Sequence, residues 1–204
     1  MFITFEGPEG CGKSTQSRLL ADFLREGGRD VVLTMEPGGT ALGIELRQLL
    51  LHSDKNLEKD SELYFFAADR NEHVKKIIAP ALLENKIVIC DRYTDSTLAY
   101  QCGGRNMPED LVRYINMASS NGLIPDITIL LDVSPEIGLK RAVLKGKADR
   151  FENEAIAFHK RVRDKYQEIA KLDSARVKMI NTEIDSIEQI QIKIREIINE
   201  KLGN

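Results

Sequence analysis

Short runs of apolar, β-prone residues recur at Phe2–Phe5, Asp30–Thr34, Ile87–Cys90, Asp126–Leu131 and Arg176–Ile180. Between them, apolar positions fall at helical spacing over Lys13–Glu26, Ala41–Leu51, Ser61–Glu84, Pro108–Asn121, Pro135–Val143, Ala155–Leu172 and Ile187–Lys201. Strands separated by helices call for parallel pairing through crossover connections. Several runs are apolar at successive positions, as in a strand covered on both faces. The pattern predicts an α/β chain with a five-stranded parallel sheet and helices on both faces. Pro80, late in the third helix, is expected to kink it. Ile184, Ile187, Ile190 and Ile194 form a stripe near the C-terminus. It reads as core packing, with a partner-binding face as the alternative. No repeat, low-complexity tract or linker interrupts residues 1–204, so a single domain is expected.

Ligands in open α/β sheets bind beyond the carboxyl ends of the strands. After the first run comes Gly7-Pro8-Glu9-Gly10-Cys11-Gly12-Lys13-Ser14, followed by Thr15 and a helix. This is the G-x-x-x-x-G-K-[ST] phosphate loop in its strand–loop–helix setting. Its glycines let backbone N–H groups curl round an anion, and the helix N-terminus adds positive potential. Lys13 supplies a cation for the β- and γ-phosphates of a nucleoside triphosphate, and the Ser14 hydroxyl a ligand for Mg²⁺. Glu9 lies within this loop, where a carboxylate must point away from phosphates; it could face the hydroxyls of a second substrate. Glu6, at the strand end, reads as structural.

Ile87–Asp91 is a buried strand ending in a carboxylate, the form of a Walker B element that holds Mg²⁺. Ile127–Asp132 has the same form. Asp91 is preferred because Arg92 beside it offers a planar fork to a phosphoryl group, whereas Ser134-Pro135 marks Asp132 as preceding a helix start. Glu36-Pro37-Gly38-Gly39-Thr40 is either a plain turn or a site loop, and Arg47 one to two helical turns later either a surface charge or a group aimed at the sheet edge. Phe66 and Arg70 share a helix face; they are either core or a pair that sandwiches and hydrogen-bonds a base. Thr97, Tyr100 and Gln101 also share a face close behind Arg92. Five cations surround Gly146 between Lys140 and Arg150. This is either a solvated loop or a lid that excludes water from the triphosphate.

Composition narrows the partners. A net charge of −3 over 204 residues advertises no nucleic-acid surface. The three cysteines have no metal-site spacing, and a reducing compartment is the easier reading. No apolar run reaches the roughly 18 residues of a membrane span, and the first strand starts at Phe2 without a basic leader. A cytoplasmic protein with no membrane partner is expected. A regulatory GTP switch is disfavoured, because the chain has no D-x-x-G and its Asn85-Lys86 lacks the following Asp. A P-loop protein without turnover stays open.

The strings FEGPEGCGKST, EPGGT, FFAADR, CDRYTDSTLAYQCGGR, PDITILLDVSPE and ADRFE occur in this order. In them the whole chain closely resembles the thymidylate kinases of the nucleoside monophosphate kinase group. The resemblance implies a P-loop kinase fold with a short lid at about 140–153, a homodimer, and the reaction ATP + dTMP ⇌ ADP + dTDP with Mg²⁺. It implies that Phe66 stacks on thymine, Arg70 bonds O4, Thr97 lies near N3 and Gln101 adds a polar contact. Arg92 and Arg47 would hold the dTMP phosphate, with Glu36 organising that end. Tyr100 and Glu9 would lie near the deoxyribose, Tyr100 crowding a 2′-hydroxyl. Asp91 would position Mg²⁺ and the acceptor phosphate. A kinase for another nucleoside monophosphate is the alternative. The chain departs from the pattern twice: Met35 stands where the family commonly has Arg, and Lys145 where a lid Arg is expected. Arg141 and Arg150 are then the lid guanidinium candidates.

Overall fold

A computed structural model describes residues 1–52, 57–144 and 149–203. Its five strands are β1 (Phe2–Glu6), β2 (Val31–Met35), β3 (Ile87–Asp91), β4 (Ile127–Asp132) and β5 (Val177–Asn181). They form one parallel sheet in the order β2-β3-β1-β4-β5. The predicted strands are therefore all present, shifted by one residue at most ends. The helices are α1 (Lys13–Glu26), α2 (Ala41–His52), α3 (Lys59–His73), α4 (Ala79–Leu83), α5 (Thr94–Thr97), α6 (Glu109–Ser120), α7 (Pro135–Val143), α8 (Ile156–Leu172) and α9 (Ile187–Leu202).

Alternate strand residues serve opposite faces, as the two-residue period requires. Ile3, Phe5, Ile89, Ile129 and Leu131 pack with Leu20, Leu24, Ile194 and Ile198 from α1 and α9. Phe2, Val88 and Cys90 point the other way and meet Val74, Ile78 and Tyr93. Leu130 and Val177 join α8 residues Val162, Tyr166 and Ile169. Thr4 and Thr128 lie side by side in the interior and satisfy each other through a 2.7 Å hydroxyl bond. The stripe read near the C-terminus is only half core. Ser186 caps α9 with Gln189 in a reciprocal capping box, so the helix begins after Ile184. Ile184 and Ile187 are left exposed, while Ile190, Ile194 and Ile198 are buried.

Between α3 and α4 the backbone widens into a π-turn, Val74–Ile78, with Ala79 N–H bonded to Val74 O. This irregularity occupies the place where Pro80 predicts a kink; Pro80 itself sits in the first turn of α4, where its missing N–H costs nothing. A second π-segment, Leu98–Gly104, follows α5 and has no counterpart among the predicted helices. It packs against α8 so tightly that a Cβ on Gly104 would lie 2.4 Å from the Phe158 ring. Tertiary packing, not local periodicity, makes this segment.

Two features tie the core to the carboxyl edge of the sheet. The phosphate loop abuts α7: a Cβ on Gly138 would lie 2.3 Å from Glu9 O, and one on Gly10 would lie 1.9 Å from Gly138 O. Glu6, fully buried at the end of β1, accepts from Tyr93 N (2.8 Å), Ser96 Oγ (2.5 Å) and Tyr166 OH (3.1 Å). Burial, reinforced by the charge of Asp95, pushes its carboxyl up to about 7 despite these donors and Arg92.

Gly→Ala in a helix ordinarily stabilises by up to about 1 kcal/mol. Gly138→Ala is expected to do the opposite, because the methyl group meets backbone; a loss of roughly 2 kcal/mol should appear in urea unfolding. The raised Glu6 carboxyl holds its proton in the folded state while the unfolded chain releases it above about 4.5. Its contribution to stability is fully present below that value and is lost as pH rises through about 7. Relative to Glu6→Gln, the protein should lose stability between pH 5 and 7.5, on the order of 1 kcal/mol per pH unit at the steepest point. A difference between the two proteins that is flat in pH would contradict this.

Candidate active site

The loops after β1, β2 and β3 enclose a cleft of about 340 Å³. Along its floor runs the phosphate loop, whose left-handed residues are glycines where the contacts demand it. Gly7 has φ 141° and faces Leu131 O, where a Cβ would lie at 2.2 Å; Gly12 (φ 101°) leads directly into α1. Lys13 is buried and folds back on its own loop, with Nζ donating to Gly7 O (3.0 Å) and Pro8 O (2.9 Å). Register places Asp91 level with Phe5 on one side and Met35 on the other. From there it accepts the Ser14 hydroxyl at 2.5 Å. A hydroxyl and a carboxylate, both lining the cleft beside Lys13, form the hard oxygen donor set that suits Mg²⁺.

Asp132, the rival carboxylate, is committed elsewhere. Arg163 grips it with Nε at 2.8 Å and Nη2 at 2.7 Å, and it does not line the cleft.

Arg92 is the junction of the site. Its backbone is left-handed, φ 71°, a conformation costing about 1–2 kcal/mol for a residue with a Cβ. The guanidinium donates through Nη2 to Glu9 Oε1 (2.8 Å) and Tyr100 OH (3.2 Å), and through Nη1 to Gly7 O (3.2 Å), Ser96 Oγ (3.3 Å) and Tyr166 OH (3.3 Å). It also stacks 5.0 Å from the centre of the Tyr100 ring. Glu9 accepts the Tyr100 hydroxyl at 2.5 Å. Burial alone would raise the Glu9 carboxyl, but the charges of Arg92 and Lys13 and the Tyr100 hydroxyl outweigh it and hold Glu9 down at about 2. The loop carboxylate therefore faces Arg92 and Tyr100.

The opposite wall is a second buried network. Glu36 accepts Arg70 Nε (2.9 Å) on one oxygen and His73 Nδ1 (2.9 Å) on the other. Arg70 also donates to Asn116 Oδ1 (2.7 Å) and Tyr93 O (3.0 Å). Gly38 N is held by Asp69 Oδ1 (3.0 Å), and Arg47 Nη1 by Pro37 O (2.7 Å). Burial and the neighbouring Glu36 push the Asp69 carboxyl up to about 6.

Of the residues read from sequence, Glu9, Gly10, Gly12, Lys13, Ser14, Glu36, Arg47, Phe66, Arg70, Asp91, Arg92, Thr97, Tyr100 and Gln101 all line this cleft. Gly7, Pro8, Cys11 and Thr15 shape the loop without lining it. Arg141 and Arg150 are not brought into the cleft. Arg141 donates to the carbonyls of Thr182 (3.0 Å) and Glu183 (3.3 Å) beyond β5, and Arg150 Nε to Leu50 O (2.8 Å) at the end of α2. Lys145, Gly146 and Lys147 of the expected lid lie outside the described residues.

The sequence reading missed Tyr93, Ser96, Asp149, Phe151 and Glu152 as lining residues. Ser96 stands four residues after Arg92, a helical spacing that could have flagged it. Tyr166 had no local signal at all; it reaches Arg92 from α8 across 74 positions of chain.

Comparison with known proteins agrees with this geometry. The family model described as thymidylate kinase matches residues 5–194. A thymidylate kinase of Synechococcus sp. (strain JA-2-3B'a(2-13)) is 48% identical over 183 residues, covering 90% of this chain and 87% of the relative. One from Trichormus variabilis is 44% identical, covering 98% and 96%. The crystal structure of thymidylate kinase from Ehrlichia chaffeensis superimposes with a TM-score of 0.81 at 41% identity, over 98% of both chains. A phosphate loop, a Mg²⁺-suited Ser14–Asp91 pair and a match along nearly the whole length together show that this chain belongs to the thymidylate kinase family.

Proposed function

We propose that this protein transfers the γ-phosphoryl group of ATP to the 5′-phosphate of dTMP, giving ADP and dTDP. Family membership supports the reaction, and one contact carries its geometry: Glu9 of the donor-binding loop meets Arg92 at 2.8 Å. That contact sets the triphosphate cradle and an acceptor-phosphate arginine side by side in one cleft, as in-line transfer between two nucleotides requires.

The roles are those the family resemblance gives these positions, and their common lining of one cleft supports them. The loop amides and Lys13 take the β- and γ-phosphates, Lys13 exchanging its carbonyl partners for phosphate oxygens. Mg²⁺, held by Ser14 and Asp91, would neutralise charge on the triphosphate. Arg92 and Arg47 take the dTMP phosphate. Phe66, Arg70, Thr97 and Gln101 surround the base, with Arg70 fixed by Glu36. Tyr100 and Glu9 lie against the deoxyribose, where the Tyr100 ring leaves little room for a 2′-hydroxyl. The acceptor is already an anion at neutral pH, so no residue need act as general base. Catalysis then consists of positioning and charge stabilisation. Within the cleft Lys13 and Arg92 supply that charge. Arg141 and Arg150 reach the transferred group only by leaving Thr182, Glu183, Leu50 and Glu62, the movement expected of a lid at about 140–153.

A homodimer is supported by exposed apolar side chains on two helices that pack together, Tyr64 on α3 and Leu111, Tyr114 and Met117 on α6. A cytoplasmic setting is supported by three unpaired cysteines, Cys11, Cys90 and Cys102. Among the described residues no helix is long and apolar enough to cross a membrane.

An ADP-release assay across dTMP, dUMP, dCMP, dAMP and dGMP is expected to show fastest turnover with dTMP; a faster acceptor would overturn the reading. Arg92→Met should lower kcat/KM for dTMP by about a hundredfold or more, the loss of a charged, bidentate contact. The KM for ATP should rise far less, by the lost grip on Glu9 and Gly7 alone. Equal losses for both substrates would argue that Arg92 does not bind the acceptor.

A further inference from the structure

Beneath the base end of the cleft lies a carboxylate that the proposed reaction does not use. Glu62, in the first turn of α3, is completely buried. Its Oε1 accepts Gln101 Nε2 (2.9 Å) and Arg105 Nε (3.1 Å), and its Oε2 accepts Arg105 Nη2 (3.1 Å). Arg150 Nη2 approaches the same Oε2 to 2.7 Å as an ion pair, without the angle of a hydrogen bond. Arg105 is itself anchored on its far side by Glu154 at 2.5 Å. Glu62 thus sits between two fixed guanidiniums, and among the described residues Gln101 is its one neutral partner.

The partner set decides which way Gln101 faces. An amide has a donor end and an acceptor end, and the terminal torsion that exchanges them is soft and two-fold. A carboxylate paired with two guanidiniums can only accept, so the amide must turn its NH₂ toward Glu62. The Gln101 carbonyl oxygen then faces away. Among the described residues it accepts no hydrogen bond, and Gln101 lines the cleft beside Phe66 and Thr97. A pyrimidine joined to its sugar through N1 meets this oxygen differently according to identity. Thymine and uracil carry one N–H, at N3, which can donate to it. Cytosine presents a lone pair at N3, which would face oxygen unpaired.

We infer that Glu62 is a positioning residue for base selection: by locking the Gln101 amide it keeps an acceptor, not a donor, facing the base and so selects pyrimidines with an N3–H over cytosine. This rests on the dTMP reading above and names the group that enforces it. The effect is indirect, because Glu62 is walled off from the ligand by Gln101.

The test measures kcat/KM for dTMP, dUMP and dCMP, and KM for ATP, in the wild type, Glu62→Gln, Gln101→Leu and the double variant. In Glu62→Gln, residue 62 can itself donate, which frees the Gln101 amide to invert. The dTMP/dCMP selectivity is expected to fall by about tenfold or more, the scale of one hydrogen bond to a polar partner left unpaired, with the ATP KM unchanged. In the Gln101→Leu background, Glu62→Gln should change the selectivity no further. Unchanged selectivity in the single variant, or an equal fall in both backgrounds, overturns the inference.

A second measurement needs no change at Glu62. The Gln101 side-chain NH₂ resonances, assigned by their loss in Gln101→Leu, should be protected from exchange and should stay unchanged when dTMP binds. Protection of that NH₂ that appears only when dTMP is bound would overturn the inference. The acceptor panel separates the two levels: a wild-type preference for dUMP defeats only the thymine reading, whereas a preference for dCMP defeats both.

Discussion

The site depends on one half-buried guanidinium, that of Arg92. Arg92 holds a left-handed backbone at the end of β3 and donates to groups from the phosphate loop, the helical segment beyond it and α8. Desolvating a charge in this way costs several kcal/mol unless every donor finds a partner. Here the partners are also the site: Glu9 faces Arg92, and Tyr100 is held between them. The strain of the backbone and the burial of the charge are both offset by the same short set of contacts.

The rest of the cleft repeats this arrangement. Glu36 fixes Arg70 and His73 on one wall; Glu62 fixes Gln101, Arg105 and Arg150 below the base end. Removing one member of such a network leaves a buried charge uncompensated, a loss of roughly 3–5 kcal/mol. Groups held from behind keep their free donors and acceptors aimed forward, so geometry is set before any ligand arrives. Glu6 adds a carboxyl that burial keeps near neutrality at about 7, beneath the same arginine.

Much of this was legible in residues. Strand runs, the phosphate loop and the preference for Asp91 over Asp132 follow from period, spacing and turn chemistry; the shared faces of Phe66…Arg70 and Thr97…Gln101 were legible as well, but only the family resemblance made them site rather than core. Other parts were not. The stripe at Ile184 looked continuous, yet the Ser186 capping box started the helix after it. The π-segment Leu98–Gly104 was not among the predicted helices, because its wide turn is shaped by α8 packing against Gly103 and Gly104. Arg141 and Arg150 are lid guanidinium candidates only through the family resemblance. In this structure their guanidiniums rest on carbonyl groups at the ends of β5 and α2, and Arg150 also on Glu62, partners whose proximity no local string encodes.

By itself the sequence determined the parallel α/β architecture and the identity of many of the polar groups in the cleft, though not Tyr93, Ser96, Asp149 or Glu152, because hydrophobic period and glycine-rich turns act over a few residues. Only the tertiary structure decided where each of those groups points. Glu9 faces Arg92, Arg70 is spent partly on Glu36, and Gln101 shows its oxygen because Glu62 claims its nitrogen. These orientations are hydrogen-bond choices between residues 34 to 83 positions apart. They are fixed by burial: inside the protein each donor must find an acceptor, and the fold chooses which one is near.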